Sequence, residues 1–441
     1  MNGVYVEGVR CFRQSQTISL RPITIFVGEN SSGKSTILAS IRMAWDICRG
    51  EGVVDFNEEP FLLGGYEQIA SYGSGRAGRA KCFKVGVQIK NPPRLKKISP
   101  HKLPNVILVT GCFSPRGSQP VIKEWKLDAG PFGLTIDYEN NDKPLVNVRT
   151  PSGAFSFQTD MGLKTSISFP ILFSFLRFLM SEEAPDERKK VIHGTMPTKE
   201  DTEIFDQIGY FVFTSLGPRP FAFAPIRTRP ERTYDPLSEI PRPEGSHVPM
   251  ILATIKSANP KDWESLRSTI DFFGDASGLF EDVQVSRKGN KESDPFQITV
   301  KISGPLFNLV DVGYGVSQVL PILVESIRLP KGSTILLQQP EVHLHPRAQA
   351  ELGSFIGMVA KMYKKNFVVE THSDYLVDRI RMDIREGKHL SSRDVAIYYF
   401  HRSGSGVQIH QMRIDKFGNL RDAPKYYRQF FLDEERRLLG G

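Results

Sequence analysis

Apolar positions along this chain follow two rhythms, and the places where one gives way to the other mark its organisation. Near the N-terminus, Val4-Tyr5-Val6 with its continuation reads as one strand and 23–27 as a second, with Arg10-Cys11-Phe12-Arg13 between them. Gly64-Gly65 and Gly73-Ser74-Gly75 mark loops, and Gln68 there is either a polar ligand to Mg²⁺ or water or a plain loop glutamine. From Lys81 the period is two: Phe83, Val85, Val87 and Ile89 share one face, with Lys84, Gln88 and Lys90 opposite. Short strands of the same kind recur at 106–109, 134–138 and 154–157, separated by Pro- and Gly-rich turns, which predicts an antiparallel β lobe. Residues 166–275 change to helical spacing, with apolar stretches at 171–180 and 203–213 and a charged, exposed segment at 184–190. After Val283 the core rhythm returns. Phe296, Ile298, Val300 and Ile302 alternate on a strand, and a helix runs to Ile327 with Ser317 suited to its N-cap. The runs 333–337 and 366–370 are continuously apolar, as in strands of a parallel sheet buried on both faces. A strand pair follows at 395–400 and 407–414 across Ser403-Gly404-Ser405-Gly406, and 424–439 reads as a charged helix.

The stretch Gly28-Glu29-Asn30-Ser31-Ser32-Gly33-Lys34-Ser35-Thr36 fits G-x-x-x-x-G-K-[ST], a phosphate-cradling loop. An apolar strand precedes it. A helix follows, with Ile37, Ile41, Trp45 and Cys48 at helical spacing and Gly50 placed to end it. That order suits the chemistry: loop amides and the helix N-terminus converge on a phosphate, and glycines let the backbone approach. Lys34 then reaches the β- and γ-phosphates, and the Ser35 hydroxyl ligates Mg²⁺. The sequence predicts a nucleotide site.

At 441 residues the chain has room for two or three lobes, and its 40% apolar and 24% charged residues are ordinary for a soluble globular protein. A net charge of +8 permits contact with nucleic acid, although Lys and Arg are scattered. Cys11, Cys48, Cys82 and Cys112 form no C-x-x-C pair, which argues against a disulfide framework or zinc site and for a reducing cytoplasm. The run 169–180 is interrupted by Arg177 and is too short to span a bilayer, so no membrane association is expected. The segment Phe223-Ala224-Pro225-Ile226-Arg227-Thr228-Arg229-Pro230, with Arg232 beyond, brings three arginines after a strand end. They bind phosphate, a partner's carboxylates, or acidic neighbours on a surface loop.

Four polar clusters sit at apolar strand ends or helix starts, where α/β folds bind ligands. Together they resemble the ABC-type ATPase heads of the SMC/RecF class, and especially the OLD-like AAA ATPases of bacteria. Gly28 to Thr36 resembles Walker A. Gly313-Tyr314-Gly315-Val316-Ser317-Gln318 resembles the ABC signature, Leu336 to Pro346 resembles Walker B with its following loop, and Glu370-Thr371-His372-Ser373-Asp374 resembles the switch-histidine segment. Phe417-Gly418 and Phe430-Phe431-Leu432-Asp433 resemble the tail of a subgroup. The resemblance covers roughly 1–60 and 300–441 well and the middle weakly.

The resemblance implies an α/β ABC-type head with a mixed or parallel core sheet, an antiparallel β lobe and a helical insertion. On this reading 1–165 is the N-terminal half with the lobe, 166–275 the largely helical insertion and 276–441 the C-terminal half. It also implies ATP and Mg²⁺ bound between two heads. Gly28, Asn30, Ser32, Gly33, Lys34, Ser35 and Thr36 of one head would face Gly315, Ser317 and Gln318 of the other, with Ser317 on the γ-phosphate and His372 sensing it. His343 and His345 shape the intervening loop. One departure stands out: where such heads carry Asp-Glu, this chain has Gln338-Gln339, and Glu341 is the carboxylate left to act as base. A transporter subunit is disfavoured by the long separation of Lys34 from Gln338, and a Toprim nuclease by the short stretch after Asp374. The expected role is a stand-alone ATPase acting with a separately encoded effector, similar to the ATPase components of anti-phage systems of the PARIS and Septu type. The alternatives are a RecF-like DNA-repair ATPase and a nucleotide-bound scaffold with little turnover.

Overall fold

The computed structural model describes all residues except 51–53, 74–77, 99–102, 140–142, 159–168, 180–192, 237–239, 290, 405 and 440–441. The charged segment expected at 184–190, the loop residues Ser74 and Gly75, and Ser405 lie outside the described residues. The chain forms two units. One comprises Met1–Leu20, Ser35–Arg219 and Arg402–Val407; the other comprises Arg21–Lys34, Pro220–His401 and Gln408–Gly441.

The first unit is built on a nine-stranded sheet. Its order is His193–Gly194, Ala154–Gln158, Leu145–Arg149, Phe132–Asp137, Gln119–Ala129, Val106–Arg116, Phe83–Lys90, Gly3–Glu7 and Gln16–Ser19, antiparallel at every step. The period-two pattern sets this arrangement: Phe83, Val85, Val87 and Ile89 are buried while Lys90 is exposed. Three strands rather than two precede the phosphate loop, because Gln16–Ser19 pairs back onto Gly3–Glu7. The helix Lys34–Arg49 buries Ile37, Ile41, Trp45 and Cys48, and Gly50 closes it at φ 62°. Trp125 of the sheet donates its indole N–H to the Ile47 carbonyl at 3.0 Å. Two helices, Phe169–Leu179 and Lys199–Thr214, stack Phe173 on Phe205 at 5.4 Å. Gln68 accepts the Gly65 N–H at 2.9 Å, so it caps a short helix.

The second unit holds a seven-stranded sheet in the order Phe221–Phe223, Thr334–Gln338, Asn366–Glu370, Ile23–Gly28, Val395–Ser403, Gly406–Ile414 and Leu420–Arg421. The first five are parallel. Their central residues are fully buried, as continuous apolar runs require. A three-stranded antiparallel sheet, Asp282–Arg287, Phe296–Lys301 and Leu306–Asn308, carries the predicted alternation with Phe296, Ile298 and Val300 inside. Helices Val248–Ala258, Pro260–Ser277, Tyr314–Arg328, Pro346–Met362 and Asp374–Arg385 share one apolar core with the sheet, in which Phe273 meets Phe355 at 5.7 Å. The stretch 166–275 is thus divided: among the described residues, helices Phe169–Leu179 and Lys199–Thr214 belong to one unit and Val248–Ala258 and Pro260–Ser277 to the other. No helix among the described residues is long and apolar enough to cross a membrane.

Candidate nucleotide site

Parallel strands bring their C-terminal ends to one edge of a sheet, and the second unit places there Gly28, Gln338, Glu370 and the residues after Phe223. Gly28 has φ 129°, and a Cβ there would meet the Phe400 carbonyl oxygen at 2.1 Å, so only glycine fits beside that strand. Ser31 at φ 58° and Gly33 at φ 92° turn the loop that follows. The Ser32 hydroxyl donates to the Glu29 carbonyl at 2.7 Å, and Glu29 itself lies 2.8 Å from His401 Nδ1. Asn30 is exposed. Lys34 opens the helix, is only 3% exposed, and donates from Nζ to the Gly28 and Glu29 carbonyls at 3.0 and 2.7 Å. Behind it along the chain Ser35 is exposed and Thr36 buried. Burial holds the Lys34 ammonium below its ordinary range, and the charges of Glu370, Glu29 and Glu341 oppose that shift.

Glu370 was named in the sequence only as the start of the switch-histidine segment, with no role of its own. It is 5% exposed, pairs in register with Gln338, and gives its carbonyl to the Gln339 N–H at 2.8 Å. Its place as the polar end of an apolar strand, directly before Thr371-His372, was the available signal. Gln338 is buried, whereas Gln339 sits at φ 43° and begins a tight loop. Val342 N–H bonds to the Gln339 carbonyl and Leu344 N–H to that of Glu341. The Glu341 carboxylate, 8% exposed, accepts the His372 N–H at 2.7 Å through Oε1, while Oε2 is buried without a hydrogen bond among the described residues. Burial pushes Glu341 above the usual carboxylate range, against the pull of the His372 N–H. His372 is exposed; desolvation first, and then the Lys34 charge, holds its imidazole below the ordinary value, favouring the neutral ring. His343 lies against the Tyr314 ring, and His345 caps the helix that begins at Pro346, so both shape the loop.

The signature-like segment differs from expectation. Its helix begins at Tyr314 with Gly313 as N-cap, one turn earlier than a Ser317 cap requires. Ser317 is 5% exposed, and its hydroxyl donates to the Tyr314 carbonyl at 2.9 Å. Gln318 points inward: its Oε1 accepts the Arg227 N–H at 3.0 Å and its Nε2 donates to the Arg227 carbonyl at 3.4 Å. Apolar helix positions on either side draw both residues into the core. The exposed part of the segment is therefore its glycine start. Gly313 has open space around it, while Gly315 approaches the His343 carbonyl. The three arginines after Phe223 separate as well: Arg227 is buried, Arg229 exposed, and Arg232 pairs with Asp311 at 2.5 Å. Burial brings the Arg227 guanidinium down to about 10, with Glu341 opposing.

A buried lysine at a helix start, loop residues at positive φ and carboxylates at one strand end, Glu370, and in the loop after the neighbouring strand, Glu341, form a donor set that suits a nucleotide's phosphates and a hard cation. Residues 201–378 match the family described as "AAA domain, putative AbiEii toxin, Type IV TA system", and residues 4–46 match a second "AAA domain" family. Among solved structures, an SMC head bound to the C-winged helix domain of ScpA is 12% identical with TM-score 0.50, covering 94% of this chain and 98% of its own. An SMC head with an extended coiled coil from Pyrococcus furiosus, bound to the C-terminal domain of ScpA, is 12% identical over 99% of both chains with TM-score 0.46. The SMC head domain from Thermotoga maritima is 12% identical, covers 94% of this chain and 99% of its own, and has TM-score 0.36. No curated protein matches the sequence.

Proposed function

We propose that this chain, an ATPase of the ABC-type, SMC-like AAA class, binds ATP between two copies of itself and thereby controls a separately encoded effector in anti-phage defence. The observation that carries the ATP site is Lys34, buried at a helix N-terminus beside the charges of Glu370, Glu29 and Glu341. With the triphosphate in place, Lys34 exchanges the Gly28 and Glu29 carbonyls for phosphate oxygens, its strongest available partners. Gly28, Asn30, Ser32, Gly33, Ser35 and Thr36 supply the loop and helix start around it, with the Ser35 hydroxyl as the metal-side ligand. Mg²⁺, when bound, neutralises charge on the β- and γ-phosphates. His372, held neutral, donates to the γ-phosphate, and Glu341 is the carboxylate for the attacking water. Gln338 and Gln339 orient without accepting a proton. Gly313 and Gly315, at the open start of their helix, face the second copy's nucleotide, while Ser317 and Gln318 support that helix from within. The wording of the matched family, a putative toxin of a TA system, supports an effector-linked role.

The test is titration with a fluorescent ATP analogue, with light scattering on the same samples. Lys34→Ala should weaken binding by about 100-fold or more, the scale of losing a charge-assisted phosphate contact, and abolish nucleotide-dependent association. Unchanged affinity refutes the site.

A further inference from the structure

The phosphate loop carries a carboxylate of its own. Glu29 follows Gly28 directly, in a loop whose amides and lysine gather negative charge. A phosphate arriving there meets a like charge unless the Glu29 side chain is neutralised or held to one side. The Glu29 backbone is pinned: its N–H bonds to the Phe400 carbonyl at 3.2 Å, and its carbonyl accepts Lys34 Nζ and the Ser32 hydroxyl, both at 2.7 Å. The carboxylate goes to His401, whose Nδ1 lies 2.8 Å from its Oε1. A carboxylate only accepts, so that ring nitrogen carries the hydrogen. His401 stands on Val395–Ser403, the strand that flanks Ile23–Gly28 on the side opposite Asn366–Glu370. His401 is itself held. The Tyr426 ring stacks on its imidazole with centroids 4.2 Å apart, and the Tyr426 hydroxyl lies 2.7 Å from His410 Nε2 on the next strand, Gly406–Ile414. Tyr399 packs against the same Tyr426 ring at 5.6 Å. Two residues on, Arg428 donates from Nε and Nη2 to Asp374 at 2.9 and 2.7 Å, anchoring the segment that carries Tyr426.

We propose that His401 and Tyr426 are positioning residues of the phosphate loop. His401 ties the Glu29 carboxylate to the strand Val395–Ser403, and Tyr426 fixes the imidazole that does so, which leaves the loop amides and Lys34 to the nucleotide's polyphosphate. The inference deepens the ATP-binding reading and rests on it. Neither residue needs to touch the ligand; both act through Glu29. The segment between the two tail stretches marked in the sequence, Phe417-Gly418 and Phe430 to Asp433, thereby acquires a task at the phosphate loop.

The test measures affinity for a fluorescent ATP analogue, with urea stability alongside, in the full chain. The variants are His401→Ala, His401→Gln, Tyr426→Ala, Tyr426→Phe, Glu29→Gln and the pairs Glu29→Gln/His401→Ala and Glu29→Gln/Tyr426→Ala. His401→Ala should weaken binding by about 10-fold, the scale of losing one charge-assisted hydrogen bond, and Tyr426→Ala should weaken it in the same direction. His401→Gln, which keeps an N–H donor, and Tyr426→Phe, which keeps the ring, should each recover part of the loss. Where Glu29→Gln has removed the charge to be held, each alanine substitution should cost less than about 3-fold in affinity. A merely structural role would give the same loss of affinity with or without Glu29 and no recovery by the conservative variants. That additive pattern overturns the inference, as does wild-type affinity in His401→Ala. Should His401→Ala fail to fold, Tyr426→Ala alone and in the Glu29→Gln background carries the same comparison, and equal losses in the two backgrounds overturn it. Wild-type protein that binds no ATP analogue overturns the site reading, and the inference falls with it. Tight binding indifferent to His401 and Tyr426 overturns the inference alone.

Discussion

Glu341 Oε1 accepts the main-chain N–H of His372 at 2.7 Å, tying the loop after one core strand to the segment after the next. The two strands are already in register, Gln338 opposite Glu370, and the Gln339 N–H bonds to the Glu370 carbonyl. A displacement of either segment is therefore imposed on the other. Glu370, at a strand end, and Glu341, in the loop after the neighbouring strand, both place charge on Lys34 and stand on backbone joined by these hydrogen bonds. A phosphate sensed at His372 would act on Glu341 through a single hydrogen bond.

The close approach of Gly28 to the neighbouring strand makes a stability prediction. Gly28→Ala places a Cβ against the Phe400 carbonyl oxygen at φ 129°, where no small shift relieves it. The cost should be about 2–4 kcal/mol, the range for backbone strain joined to a core clash. Urea unfolding of the two proteins measures it, and a loss under about 0.5 kcal/mol, the size of an ordinary surface change, would contradict the packing.

The open glycine at the helix start predicts a separation of folding from assembly. A side chain at Gly313 meets nothing within 4 Å and sits at a favourable φ of −59°. Gly313→Glu should therefore fold normally, yet set a carboxylate where the proposed dimer would bring a second copy's triphosphate. ATP affinity of the isolated chain should stay within about 3-fold of wild type, since the variant adds no contact to its own phosphate loop, while nucleotide-dependent association is lost. Sedimentation with and without a slowly hydrolysed analogue decides the matter; association that survives the substitution rules out this face.

The strand, loop and helix around Lys34 were legible because each carries its own local signal: a continuous apolar run, glycines at loop positions, and apolar residues at helical spacing closed by Gly50. The strands ending at Gln338 and Glu370 were legible for the same reason. Strand order was not. That Phe221–Phe223 flanks Thr334–Gln338 depends on pairings between residues far apart in sequence, so the inward turn of Arg227 had no local marker. The Ser317 cap failed for a related reason. A serine before an apolar run is a valid start signal, but here the run already begins at Val316, and the glycine before Tyr314 takes the cap. Glu370 was hidden by its own strand, which reads as uniformly buried until its last residue is placed beside Gln338.

Glu341 gives the site a pH signature. Burial raises its pKa above the ordinary 4.5, so the folded chain holds this proton where the unfolded chain has released it. Stability contributed by the protonated form is present below the unfolded value and falls as pH rises through the folded one. Glu341→Gln removes that dependence. The variant should gain stability relative to wild type as pH rises from the unfolded value of 4.5 through the higher folded one. Urea titrations at both ends measure the difference; a gap between the two proteins that does not change with pH would show that Glu341 is not held in this way.

The paired glutamines make the strongest demand on the chemistry. Gln338 and Gln339 accept no proton, so cleavage of the γ-phosphate rests on positioning, on Lys34 and on whatever carboxylate reaches the water. Two candidates stand beside Lys34, Glu341 and Glu370, and they differ in what holds them. Glu341 keeps one oxygen without a hydrogen bond among the described residues, whereas Glu370 closes a strand and gives its own carbonyl to Gln339. Wild type should bind ATP tightly and hydrolyse it slowly, so that the bound dimer persists. If Glu341 is the base, Glu341→Gln should cut single-turnover hydrolysis by about 100-fold or more, and Gln339→Glu should raise the wild-type rate by adding a second carboxylate to the same edge. If Glu370 is the base instead, Glu370→Gln carries the loss and Glu341→Gln alters stability more than rate. Fast hydrolysis by wild type, indifferent to all three substitutions, would mean that the chemistry lies on other residues.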